Sequence, residues 1–120
     1  MKILDYKRLF KAIKYSSEGL IEAVSNHTAF KQELLIFIIL TPLAIIVGNS
    51  FLEISILIFS VILVLVIEII NTAIEIIVDR ISTEKHELSK KAKDLGSAAV
   101  LIALLNMIII WGLIIVPKFL

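Results

Sequence analysis

Hydrophobic positions in this chain fall into three long blocks. Leu34 to Val47 is a short run without charge, and extended back to Phe30 it approaches spanning length. Ile54 to Val78 is the longest block and carries only Glu68 and Glu75 as charges. Leu95 to Val116 has no charge at all. About 20 apolar residues cross the hydrocarbon core of a bilayer as a helix. The pattern therefore predicts three transmembrane helices, over about 30–48, 54–78 and 95–116. Pro42 falls inside the first, where neighbouring helices can accommodate a kink.

The segment ahead of the first block has a different period. Tyr6, Leu9, Phe10, Ile13, Leu20, Ile21 and Val24 recur at helical spacing, with Lys7, Arg8, Lys11 and Lys14 between them. This predicts a basic amphipathic helix over about 4–28, lying in the headgroup plane. A plain electrostatic anchor would show the same pattern. Residues 1–33 hold six lysines and arginines, and Asp79 to Asp94 holds five. "GNSFLE" between the first two blocks holds none, and the C-terminal tail has only Lys118. The positive-inside rule then puts the N-terminus and a 79–94 loop in the cytoplasm and the C-terminus outside.

Composition agrees with lipid as the solvent. Hydrophobic residues make up 59% of the 120 residues and mean hydropathy is +1.02, whereas soluble domains are about 45–50% apolar. A net charge of +1 offers nucleic acid nothing to bind. The absence of cysteine excludes disulfides, thiolate metal sites and thiol nucleophiles. Charges interrupt the N-terminal segment and no small-residue cleavage site follows an apolar run, so it reads as mature protein and not as a signal peptide. A single membrane domain over 1–120 is expected. Few helices bury little core per subunit, so an oligomer is expected too.

The second block ends in a polar stripe. Glu68, Asn71, Glu75 and Asp79 are separated by 3, 4 and 4 positions, which places them within roughly 40° of one helix face. Glu68 and Glu75 are then on the order of 10 Å apart along the axis. Ionisable residues in a span cost roughly 2.5–3.5 kcal/mol each and mark functional sites. Two on one face call for a cation, a basic partner or protonation. Polar glue between helices is the plainer explanation, at about 1 kcal/mol per contact, but glue needs one polar group and not four in line. Ion translocation is the transporter reading. The uncharged cores of the other two blocks offer no path to continue it, which favours a one-sided site at the inner interface.

The charged stretch "DRISTEKHELSKKAKD" brings Lys85, Lys90, Lys91 and Lys93 beside that stripe, although such charges also suit a solvated face. "HELSK" misses the zinc-protease pattern, because Lys90 stands where the second histidine belongs. No GxxxxGK[ST] loop is present and the chain has only four glycines. Any phosphate bound here must be held by lysines and a carboxylate-bound metal.

"EIINTAIEIIVDRIS" followed by "HELSKKAKDLGSAAVLIA", with "KAIKYSSEGL" and "AFKQE" upstream, closely resembles the bacterial integral-membrane diacylglycerol kinase family. The likeness runs from about Arg8 to Ala103, and its E-x-x-N-[ST]-A-x-E-x-x-x-D pattern is specific. It implies an all-α membrane protein: a homotrimer of three-span subunits, each with an N-terminal surface helix, and active sites shared between neighbours. It also implies transfer of the ATP γ-phosphate to a lipid alcohol, with magnesium as the metal. Diacylglycerol, giving phosphatidic acid, is favoured over undecaprenol, the substrate of a sister group.

The resemblance assigns roles as well. Glu68 matches the general base, supported by Asn71, and Glu75 matches a ligand of the divalent ion on the ATP phosphates. Lys93 and the catalytic Asp94 match residues that orient the nucleotide, with Glu84, Lys85 and His86 nearby. Arg8 and Tyr15 match ATP-side positions. Ser16, Ser97 and the stretch Ala29, Phe30, Lys31, Gln32 and Glu33 match the lipid side, together with Glu68. Phosphoryl transfer needs charge neutralisation and positioning, which a metal and lysines supply without a soluble kinase fold. "GSAA" at Gly96 to Ala99 allows helices or an acyl chain to approach closely.

One position departs from the family. "NHTAF" puts His27 where a second metal-binding glutamate is usual, within the ATP and metal set. Magnesium prefers oxygen, while imidazole suits zinc or manganese. Glu22, five positions earlier, would lie roughly 140° around a continuous helix and is no obvious substitute. The expectation is surviving activity with an altered metal preference or weaker magnesium binding. The plainer alternative is a tolerated interfacial histidine, with water filling the vacancy. A catalytically weakened membrane scaffold or lipid-binding protein is a further alternative that this position keeps open.

Overall fold

The computed structural model describes residues 3–81 and 86–120. The described residues are helical, with no strand among them. They form α1 (Tyr6–Asn26), α2 (Thr28–Val47), α3 (Phe51–Ile81) and α4 (Glu87–Ile115), closed by a short 3-10 helix at Val116–Phe119. Thr28–Val47, Phe51–Ile81 and Glu87–Phe119 are each long and apolar enough to cross a membrane. At 1.5 Å per residue the 31 residues of α3 extend about 46 Å. That exceeds the roughly 30 Å of hydrocarbon, so at least one end of α3 must reach beyond it.

Asp5 caps α1 by accepting from the Arg8 amide at 3.1 Å. α1 stops at a single residue, His27, whose backbone is extended at φ −124 and ψ 107. The chain enters α2 directly afterwards. α2 runs unbroken through Pro42. Between α2 and α3, Ser50 Oγ accepts from the Glu53 amide at 3.1 Å, and Glu53 Oε1 accepts from the Asn49 amide at 3.2 Å. These reciprocal bonds, of the capping-box kind, satisfy donors that the start of the helix would leave open.

The connection expected as a loop over 79–94 is helical at both ends. Asp79 to Ile81 belongs to α3 and Glu87 to Asp94 to α4. His86 Nδ1 caps α4 by accepting from the Leu88 amide at 3.0 Å. The i,i+4 pairs Glu87–Lys91 at 3.2 Å and Lys90–Asp94 at 2.7 Å lie along its first turns. Such pairs favour helix over loop by a few tenths of a kcal/mol each.

α3 is the central element, packed against both α2 and α4. Its buried residues are Leu57, Ser60, Val61, Val64, Glu68, Asn71 and Thr72. Their three- and four-residue spacing defines one helix face. Ala44 from α2 and Trp111 from α4 complete the core over Leu57 and Val61. Trp111 Nε1 donates to Ser60 Oγ at 3.1 Å, and Ser60 Oγ donates to the Leu57 carbonyl at 2.7 Å. The last turns are tied back by Lys118, which donates to Glu53 Oε1 at 2.9 Å.

Candidate active site

The face of α3 that carries the core continues toward its C-terminal end as Glu68, Asn71, Thr72 and Glu75. There the helices part. A cleft of about 370 Å³ opens, lined by Asn26, His27, Thr28, Ala29, Glu68, Asn71, Thr72, Glu75, Ser97 and Val100. Three chain segments meet at this end of the molecule: the α1–α2 break, the last turns of α3 and the early turns of α4.

Within the stripe, Asn71 Nδ2 donates to Glu75 Oε1 at 3.2 Å. Thr72 Oγ1 donates to the Glu68 carbonyl at 2.9 Å, turning a cleft-lining hydroxyl back onto its own helix. Glu68 is only 6% exposed and Asn71 only 7%, whereas Glu75 is half-buried and Asp79 exposed. The stripe thus runs from buried to open along the helix. Asn71 Oδ1 is buried without a hydrogen-bond partner among the described residues.

His27 stands at the break between helices, and this overturns one expectation. Separation of Glu22 from position 27 by roughly 140° holds only for a continuous helix. With His27 extended, its Nε2 lies 3.4 Å from Glu22 Oε1. Glu22 Oε2 also accepts from Asn26 Nδ2 at 2.8 Å. The His27 contact is within ion-pair range but lacks hydrogen-bond geometry, so Nε2 is buried without a hydrogen-bond partner among the described residues.

Of the residues singled out from sequence, His27, Ala29, Glu68, Asn71, Glu75 and Ser97 line the cleft. Phe30, next to Ala29 in sequence, is buried, Glu33 is half-buried, and Lys31 and Gln32 are exposed. Arg8, Tyr15 and Ser16 sit on exposed positions of α1 and do not line the cleft. Asp79, the last member of the stripe, pairs with Lys93 at 2.5 Å and ties the ends of α3 and α4 together. Lys93 precedes the uncharged stretch that begins at Leu95. Asp94 is engaged by Lys90, and His86 serves as a helix cap. Glu84 and Lys85 lie outside the described residues.

Sequence reasoning missed Asn26, Thr28, Thr72 and Val100 as lining residues. Thr72 alone left a trace, as the hydroxyl next to Asn71 in the stripe. Gly96 stands out along the chain only as a small residue suited to close packing, yet it is buried against Asn71. A Cβ at Gly96 would overlap Asn71 Oδ1 and stand 3.3 Å from its Cγ.

Among the described residues no three His, Cys, Asp or Glu side chains converge to hold a metal ion. Zinc sites draw three or four ligands from protein. Magnesium is usually bound through one or two carboxylates plus substrate phosphates. The oxygen-rich lining of Glu68, Asn71 and Glu75, with His27 beside it, fits the second pattern.

The same chain segments are found in known proteins. Diacylglycerol kinase from Haemophilus influenzae is 49% identical over 111 residues, covering 92% of this chain and 94% of the relative. Diacylglycerol kinase from Escherichia coli K12 is 43% identical over 114 residues, covering 95% and 93%. The Helicobacter pylori 26695 diacylglycerol kinase is 44% identical over 111 residues, covering 92% and 87%. The family pattern described as prokaryotic diacylglycerol kinase matches residues 14–115, from the middle of α1 to the end of α4. With every element of the cleft inside that match, the chain belongs to the prokaryotic diacylglycerol kinase family.

Proposed function

We propose that this protein phosphorylates diacylglycerol to phosphatidic acid with ATP, at the cytoplasmic face of the bacterial inner membrane. The observation that carries this reading is the cleft itself. It places a buried carboxylate, Glu68, in one polar recess with Asn71, Glu75, His27 and Ser97. The recess lies at the end of the bundle where α4 carries its lysines.

In this reading the oxygen of the lipid hydroxyl attacks the γ-phosphorus. The bond from that phosphorus to the β–γ bridging oxygen breaks, ADP leaves, and the hydroxyl proton passes to Glu68. A lipid alcohol is a poor nucleophile at neutral pH, so a base held within hydrogen-bond reach is what the step requires. Asn71 orients Glu75 through the 3.2 Å hydrogen bond. Glu75 would hold a magnesium ion together with the nucleotide phosphates. When bound, that ion offsets the phosphate charge. Phosphates that reach for Lys93 must compete with Asp79 for its ammonium. Asp94 would orient the nucleotide with Glu84, Lys85 and His86 around it.

Ser97 and the Ala29–Glu33 stretch would meet the lipid. Arg8, Tyr15 and Ser16 lie away from the cleft of their own chain. In a homotrimer with α1 on the membrane surface they would serve the site of a neighbouring subunit. The N-terminus would then be cytoplasmic and the C-terminus outside.

The test is transfer of labelled γ-phosphate from ATP to diacylglycerol in mixed micelles with magnesium. Labelled phosphatidic acid from the wild type, and labelling about 10²–10⁴-fold slower from Glu68→Gln, is expected. Equal transfer by Glu68→Gln would remove Glu68 from its role. Product from undecaprenol and not from diacylglycerol would move the chain to the sister substrate. No product with either lipid, and with magnesium or zinc, would favour a scaffold.

A further inference from the structure

We infer that Gly96 is a positioning residue: its bare backbone sets the Asn71 amide and, through it, the Glu75 carboxylate. The inference rests on the phosphoryl-transfer reading for its consequence, but its geometry stands on the cleft alone.

Gly96 lies one residue before Ser97, where α4 crosses the polar part of α3. The three atoms nearest to a Cβ built there all belong to the Asn71 side chain. The first of them, Oδ1, would be overlapped. Oδ1 therefore rests against glycine backbone, which offers at most a weak C–H donor, and it has no hydrogen-bond partner among the described residues. The opposite end of the amide donates to Glu75. Flipping the amide would turn its oxygen toward a carboxylate, two acceptors facing each other, so the observed orientation is the only one that makes the Glu75 bond.

A methyl group at 96 leaves Asn71 one escape, rotation of its amide. Oδ1 is the tip of a side chain, so rotation costs the fold little. It costs the site more, because the same rotation draws Nδ2 away from Glu75. Glu75 is only half-buried and loses the one side-chain hydrogen bond that orients it among the described residues. Gly19 and Gly112 have open space where a Cβ would go, so this constraint belongs to position 96 and not to glycine in these helices generally.

The experiment compares full-length wild type, Gly96→Ala, Asn71→Ala and the double variant in micelles. Displacement of catalytic groups by about an ångström costs on the order of 100-fold, so Gly96→Ala should lose about that much kcat while KM for the lipid holds. In the Asn71→Ala background the same change should alter kcat by less than about twofold, since the two residues act as one unit. Losses that multiply, or wild-type kcat in Gly96→Ala, would overturn the inference. If Gly96→Ala fails to fold, the double variant decides. Folding restored by removal of the Asn71 amide supports the contact, and folding still lost places the clash elsewhere.

A readout independent of activity is the side-chain amide spectrum of protein labelled with 15N at its asparagines. Asn71→Ala identifies the Asn71 signal, which should move in Gly96→Ala and should stay fixed if Gly96 has no hold on it. A moved signal in a wild-type background without kinase activity would support this contact while sinking the proposed function.

Discussion

One face of α3 does two different jobs along its length. Toward the α2–α3 turn it presents Leu57, Ser60, Val61 and Val64, and toward the far end Glu68, Asn71, Thr72 and Glu75. Period and neighbouring helices are the same in both halves. In the first half Ala44 and Trp111 close the space between helices. In the second half the space stays open as the 370 Å³ cleft. Polar satisfaction differs in the same way. The Trp111–Ser60–Leu57 relay pairs its donors, whereas Asn71 Oδ1 and His27 Nε2 have no partner among the described residues. Helical periodicity decides which residues face inward, and side-chain chemistry decides whether that face becomes core or site. Unpaired buried groups cost stability, and among the described residues both lie at the polar end.

The largest effect should come from the polar half. Glu68→Gln keeps the size of the side chain but removes the carboxylate proposed as the base, so kcat should fall by about 10²–10⁴-fold. The circular dichroism spectrum should not change, because a buried charge has been removed and not created. A variant that unfolds would mean that Glu68 belongs to the structural half.

Leu57→Ala makes the opposite test. Leu57 is fully buried, and such truncations cost about 2–5 kcal/mol. Denaturation in detergent should show that loss, while KM for lipid and nucleotide stays put below the new midpoint. Loss of activity in the folded variant would mean that the two halves are not separable.

His27→Glu bears on the unsatisfied nitrogen. If the proposed magnesium-dependent transfer holds, a carboxylate at 27 adds an oxygen donor at the cleft, and magnesium titration of the activity should reach its midpoint at several-fold lower concentration. An unchanged rate and metal profile would reduce His27 to a tolerated residue.

The smallest effect is expected of Trp111→Phe. It removes one hydrogen bond, worth about 1 kcal/mol, and part of the ring's packing in the core, while Ser60 keeps its bond to Leu57. Thermal unfolding should shift slightly and kcat not at all.

Much of this is legible along the chain. Uncharged runs of membrane length need no partner to be read, and the 3-4-4 spacing of the stripe puts Glu68, Asn71 and Glu75 on one face before any helix is placed. The early start of α4 is also written locally, in the i,i+4 spacing of Glu87 with Lys91 and Lys90 with Asp94. Weighing charge above spacing turns that same stretch into a loop, which is why the expected boundary falls short.

Other features have no local signal. Nothing in "SNHTAF" shows that His27 alone leaves helical geometry, and that one extended residue brings Glu22 to it. Gly96 and Asn71 belong to different helices, as do Trp111 and Ser60, so their pairing depends on how α4 folds back along α3. Short-range rules govern hydrogen bonds and side-chain direction within one helix, and these are the same wherever the helix goes. Which surfaces meet depends on packing summed over all of them. The polar stripe can therefore be identified from sequence, while the cleft that gives it a partner exists only once three helices have packed.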